Sequence, residues 1–174
     1  MKIRFEKERI KRKVPIISSI ILILISNVLP IPVGTSFSLP FIPILCIIGW
    51  TLLLRNLFGV LTVFSIGLIS DFIIGTPLGS YSLIFILVYI LLNYLILKFR
   101  SKNFFFSYLI STLAILFFYI FQTLFILFYF KLLLDFKYFF YSFMLTISLF
   151  PAIYIFQVWI YNLFKLKLLF HEAP

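Results

Sequence analysis

Gly67-Leu68-Ile69-Ser70-Asp71-Phe72-Ile73-Ile74-Gly75-Thr76-Pro77-Leu78-Gly79 interrupts a greasy chain with one carboxylate and a sharp turn signal. Asp71 is the only acidic residue inside a long apolar segment. Translocon-type scales charge about 2.5–3.5 kcal/mol for Asp at a membrane-helix centre, and less near an interface, so the residue needs a local reason. Gly75 suits the left-handed position after a helix end, and Pro77 two residues later blocks continuation. Gly79 and Ser80 then open the next helix, whose free backbone N–H groups point back toward the turn. Asp71, one turn before Gly75, is placed to accept them, and the helix-start dipole favours its charge by up to about 1–2 kcal/mol.

The surroundings decide the class. The 174 residues are 64% hydrophobic and only 11% charged, with a mean hydropathy of +1.21. A soluble domain of this size has no surface for so much apolar area. Apolar runs of about 18 or more residues recur, the length that spans a bilayer. The expectation is an all-α, polytopic membrane protein, a six-helix bundle with short loops. Its apolar segments run roughly over 14–31, 39–54, 57–75, 80–97, 104–130 and 139–164. The second is short and opens with Pro40 and Pro43, which fits a tilted, kinked or partly spanning helix. Residues 1–13 form a basic cytoplasmic segment, 14–164 the membrane domain and 165–174 a short cytoplasmic tail.

Charge sets the expected orientation. Seven of the 15 Lys and Arg residues precede residue 14. With a cytoplasmic N-terminus, one side collects thirteen basic residues, including Arg55, the Lys98–Lys102 loop, Lys165 and Lys167. The other side holds Lys131 and Lys137. Both termini are therefore placed in the cytoplasm, and residues 67–79 at the outer end of the third helix. The first apolar run exceeds a signal-peptide core and no A-x-A follows, so it reads as an uncleaved anchor, although Gly34 and Ser36 offer a poor cleavage site. The N-terminal basic run is first a topology signal. It also attracts anionic lipid by about 1 kcal/mol per residue, and a cytoplasmic docking role is the alternative.

Several chemistries find no support. No basic groove or nucleic-acid signature accompanies the +10 net charge. Cys46 is the only cysteine, which excludes an intramolecular disulfide, and His171 in the tail is the only histidine. No catalytic, cofactor-binding or metal residues are expected.

At helical spacing Gly59, Thr62, Gly67, Ser70 and Asp71 share one half of the third helix, a small-polar packing face opposite Leu, Phe and Ile. All six glycines lie between Gly34 and Gly79, so the first four segments read as the packed core and the Phe- and Tyr-rich last two as more lipid-exposed. Asp71 has three readings: a tie across the hairpin, a partner contact, and proton or cation handling. The tie leads, and the lack of a second embedded charge argues against a proton relay. Asn27, Asn93, Gln122, Thr123 and Gln157 read as glue between helices. Arg55 and Asn56 form a minimal turn, and Pro151 is expected to kink the last helix.

Gly67-Leu68-x-x-Asp71-x-x-x-Gly75-x-Pro77-Leu78-Gly79 resembles the signature of the rod-shape-determining membrane protein family MreD. Ser70 sits within the same motif. The Pro40/Pro43 entry and the basic N-terminus are similar too, with the sharp resemblance confined to about residues 40–95. It implies a non-enzymatic subunit of the bacterial cell-elongation complex in the cytoplasmic membrane, supporting cell shape and lateral peptidoglycan synthesis. It also implies partners: bitopic MreC, actin-like MreB, RodA and a class B penicillin-binding transpeptidase. The implied fold is similar to the six-helix substrate-binding subunit (S-component) of energy-coupling-factor vitamin transporters. Many relatives carry a charge after the proline opening the second helix, where this chain has Phe41 and Ile44.

Two other functions compete. A vitamin-binding transporter subunit docks through Ala-x-x-x-Ala helices, whereas alanine occurs here only at 114, 152 and 173. A lipid-handling membrane enzyme needs embedded His, paired acids or a phosphate cradle, and the chain offers none.

Overall fold

The computed structural model describes residues 13–25, 40–54, 59–99, 104–131 and 136–164. Among these residues there are six helices and no strand. They are α1 (Lys13–Ile25), α2 (Ile42–Leu53), α3 (Val60–Ile74), α4 (Ser80–Lys98), α5 (Phe104–Phe130) and α6 (Phe136–Leu163). The basic N-terminal run to Arg12, Asn27, the Arg55-Asn56 turn and the C-terminal tail lie outside the described residues.

Three helices are long and apolar enough to cross a membrane, over Ser80–Lys98, Phe105–Tyr129 and Phe139–Leu163. The second expected span is shorter than its apolar run. α2 has 12 residues, about 18 Å at 1.5 Å per residue, against a hydrocarbon core of about 30 Å. Its start is delayed because Pro43 occupies the first turn, and Phe41 stands outside as the N-cap. Pro43 lacks an N–H, which is harmless only where no intrahelical bond is needed.

α2 lies at the centre. Every residue from Pro43 to Thr51 is buried. Its sequence is apolar on all sides, which suits either lipid or a protein core, and in α2 it is neighbouring helices that cover it. α6, α4, α5 and α3 pack around it. This differs from a core of the first four segments with two outlying helices. α3 exposes Leu61 at 79% and Phe72 at 71%, while Ala114, Ile115 and Phe118 of α5 are fully buried. Aromatic bulk on α5 and α6 is split between core and outer face.

α3 and α4 form the closest helix pair in the bundle, an antiparallel hairpin joined by residues 75–79. The buried stripe of α3 is Val63, Ile66, Gly67, Ser70 and Asp71, at spacings of three and four. Gly59 and Thr62 do not join it. Gly59 is the exposed N-cap with nothing within 4 Å of where a Cβ would lie, and Thr62 Oγ1 donates back to Gly59 C=O at 2.6 Å. Pro151 sits within a continuous α6.

Candidate functional site: the Asp71 hairpin

Two glycines shape the turn. Gly75 has φ 77° and Gly79 φ 97°, both in the left-handed region that costs an L side chain about 1–2 kcal/mol. The N–H groups of Gly75 and Thr76 donate to Asp71 C=O at 2.9 and 3.2 Å, closing the end of α3. Pro77 C=O accepts Ser80 N–H at 3.1 Å. The chain thus reverses within five residues and aims the start of α4 at the Asp71 side chain.

Asp71 is fully buried, and five donors converge on its carboxylate. Oδ1 accepts from Thr76 Oγ1 at 2.9 Å, Ser80 Oγ at 2.8 Å and Tyr81 N–H at 2.9 Å. Oδ2 accepts from Gly79 N–H at 2.9 Å and Ser82 Oγ at 3.3 Å. An ionised carboxylate offers about four lone-pair sites, so this one is saturated. Bonds to a charged acceptor are worth about 1.5–3 kcal/mol each, which offsets burial of the charge. The donors include two N–H groups that a helix start leaves without intrahelical partners.

Gly67 makes the approach possible. A Cβ there would meet the Ser82 backbone, with its N at 2.8 Å. Only a glycine lets α4 come close enough for Ser82 Oγ to reach Asp71. Ser70 is also buried, but its hydroxyl donates to Ile66 C=O at 2.9 Å and does not touch Asp71. Leu68 is half-buried and Leu78 is 65% exposed at the hairpin tip.

Tyr81 carries the motif into the rest of the bundle. Its N–H holds Asp71, its hydroxyl accepts Gln122 Nε2–H at 3.1 Å, and its ring stacks on Phe41 at 4.9 Å. Phe41 also lies 4.8 Å from Phe118 and 6.0 Å from Phe85. Phe41 is the centre of an aromatic cluster. Phe41 N–H donates to Thr146 Oγ1 at 3.3 Å, and the Tyr119 hydroxyl lies 2.7 Å from both Ser142 Oγ and Thr146 Oγ1. α2, α4, α5 and α6 are joined through these groups.

The embedded amides behave in two ways. Gln122 bonds α4 from α5, and Gln157 Nε2–H of α6 donates to Cys46 C=O of α2 at 3.1 Å. Asn93 and Thr123 instead bond their own helices, at Tyr89 C=O and Tyr119 C=O, and are not glue. Among the described residues no three His, Cys, Asp or Glu side chains come together as a metal set.

An enclosed apolar helix, three membrane-length helices and a carboxylate consumed by its own hairpin define a multi-pass helical membrane protein. Its polar motif is engaged in holding two helices together. The chain belongs to the rod shape-determining protein MreD family, whose model matches residues 7–167 and so takes in all six helices and the Asp71 hairpin. Comparisons with curated proteins and with solved structures gave no match, so the likeness to a vitamin-transporter subunit has no structural counterpart behind it.

Proposed function

We propose that the protein is a non-catalytic subunit of the bacterial cell-elongation machinery. It sits in the cytoplasmic membrane and supports shape and lateral peptidoglycan synthesis by holding an MreC-like bitopic protein near MreB-like filaments and RodA-like and class B penicillin-binding synthases. Family membership carries the reading. The saturated Asp71 supports the non-catalytic part, since a carboxylate with five donors has no lone pair left for a proton or a cation. The thirteen-to-two distribution of basic residues supports cytoplasmic termini and an outward-facing hairpin. In this reading the motif residues Gly67, Leu68, Ser70, Asp71, Gly75, Pro77, Leu78 and Gly79 build a rigid platform rather than a reactive centre. The partner-facing side of that platform is the exposed apolar set Phe72, Ile74 and Leu78 beside it.

Depletion in a rod-shaped host tests the function directly. Rounded cells with intact vitamin uptake are the expected result, whereas normal width with lost uptake of a vitamin would sink the reading. The platform has its own test in co-purification from native membranes. Phe72→Ala combined with Leu78→Ala is expected to accumulate normally and to lose most of the bitopic partner. Undiminished partner recovery would place the contact elsewhere.

A further inference from the structure

The outer face of α6 carries a row of exposed residues at regular spacing. Leu145, Ser148, Ala152, Ile155 and Trp159 are all exposed, and the row continues to Tyr141 before them and Asn162 after them. Its steps are 4, 3, 4, 3, 4 and 3 residues, a 3.5-residue repeat kept over three heptads. Such a repeat forms the seam along which two helices pack side by side. α5 provides the contrast. Its exposed Leu109, Leu113, Leu116 and Ile120 are aliphatic throughout, as a surface that meets only hydrocarbon requires.

Two features set the α6 row apart. It narrows in the middle, where Ser148 and Ala152 stand one turn apart with Leu145 and Ile155 on either side. Small residues at this spacing let helix backbones approach closely in a membrane. The second feature is polar. Ser148 lies near the middle of the 28-residue α6, so its exposed hydroxyl faces the hydrocarbon, and it has no hydrogen-bond partner among the described residues. Ser65, Ser70, Ser111 and Thr112 instead return their hydroxyls to carbonyls of their own helices. Asn162, 14 residues further along the same row, likewise has no partner among the described residues. Hydrocarbon supplies neither donors nor acceptors, so an unpaired hydroxyl within it costs free energy until another group meets it.

Symmetry selects what that group belongs to. Copies of one chain share one orientation in a membrane, so a two-fold axis along the bilayer normal sets α6 against α6, parallel and in register. Each position of the row then meets itself. Two Ser148 hydroxyls can donate to and accept from each other, and two Asn162 amides carry donors and acceptors for the same purpose. A different helix would need a small pair and two polar groups at matching spacing, whereas a second copy carries them by construction. The area is sufficient. Tyr141 is 64% exposed, Ile155 65% and Trp159 58%, so the row offers on the order of 500 Å² a side, or about 1,000 Å² in a pair, near the minimum for a specific interface. We infer that the protein pairs with a second copy of itself through the outer face of α6, crossing at Ser148 and Ala152.

Cysteine cross-linking in native membranes tests this, with the buried Cys46 left in place and the unaltered protein as the blank. Single cysteines are oxidised with copper phenanthroline and read as dimers of twice the chain mass. Ser148→Cys, Ala152→Cys and Ile155→Cys are expected to cross-link at least fivefold more than Leu149→Cys or Ile153→Cys on α6, or Leu113→Cys on α5. No dimer at any position, equal yields at all of them, or a maximum on α5 each overturns the proposal. A second measurement follows energy transfer between donor- and acceptor-labelled protein in liposomes as lipid dilutes it. Ala152→Leu fills the notch on an exposed face, so it should weaken pairing at least tenfold while leaving the circular dichroism of the diluted monomer unchanged. Ser148→Ala keeps the notch and removes the hydroxyl, and should weaken pairing about threefold. Pairing that Ala152→Leu leaves intact, or a monomer that it unfolds, overturns the proposal.

Discussion

At the scale of single residues, Asp71 behaves as a structural anion whose value lies in the donors it satisfies. Replacing it with Ala strands the Gly79 and Tyr81 N–H groups along with three hydroxyls, and is expected to destabilise by about 4–5 kcal/mol, at the diagnostic end for point changes. Asp71→Asn keeps one oxygen and presents an NH₂ to at least one N–H donor, so its cost should be smaller, about 2–3 kcal/mol. Ser82→Ala removes only the longest of the five bonds, at 3.3 Å, and should cost less than about 1 kcal/mol. Reversible unfolding in mixed detergent micelles, followed by circular dichroism, measures the series. An Asn variant as damaging as Ala, or a Ser82 variant worse than both, would contradict a saturated hub. Much of this was legible beforehand, because Asp followed by Gly75, Pro77 and Gly79 encodes a reversal that returns N–H groups to the carboxylate. The hydroxyls of Thr76, Ser80 and Ser82 were not foreseen, although three hydroxyl residues within eleven positions of a lone acid were a readable signal. The Tyr119, Ser142 and Thr146 set had no local signal, since it is assembled from positions 23 and 27 residues apart.

At the scale of elements, glycine sets how closely helices approach, because lipid supplies no hydrophobic drive between them. Gly67→Ala pushes a methyl into the Ser82 backbone, which cannot yield as a flexible side chain does. The α3–α4 pair must separate, at an expected cost of at least about 2 kcal/mol. Gly59→Ala meets nothing and should stay within about 1 kcal/mol, a capping effect alone. Equal losses at the two sites would mean that the crossing tolerates a methyl. Gly49 presents the other kind of contact, with the end of the Gln157 side chain lying where its Cβ would be. Gly49→Ala should therefore destabilise alone and recover when Gln157→Ala is added, with a coupling of about 1 kcal/mol or more in a double-mutant cycle. Additivity would separate the two residues energetically. The sequence marked Gly67 and Gln157 as packing sites but misplaced Gly59 and Thr62, since helical phase alone does not say where along a helix its partner passes. Likewise the length of the apolar run around α2 overstated the helix, because Pro40 and Pro43 move its start inward while the flanking residues stay apolar.

At the scale of the whole molecule, α4, α5 and α6 alternate in direction, which makes the topology testable at four exposed positions. Leu78 at the hairpin tip and Lys131 after α5 lie at one end of the bundle, and Lys98 at the end of α4 and Phe164 after α6 at the other. Cys46 is fully buried in α2, so it forms a silent background for cysteine labelling. The basic-residue asymmetry predicts that Leu78→Cys and Lys131→Cys react with a membrane-impermeant maleimide added outside cells or spheroplasts. Lys98→Cys and Phe164→Cys should react only after permeabilisation. Exchange of the two pairs would invert the molecule and place the Asp71 hairpin on the cytoplasmic side. A split within either pair would break the antiparallel order itself. The expected pattern puts the hairpin and its exposed Phe72, Ile74 and Leu78 on one outward-facing end. Whichever end it occupies, the five hydrogen bonds to Asp71 hold α3 and α4 in a fixed relation there.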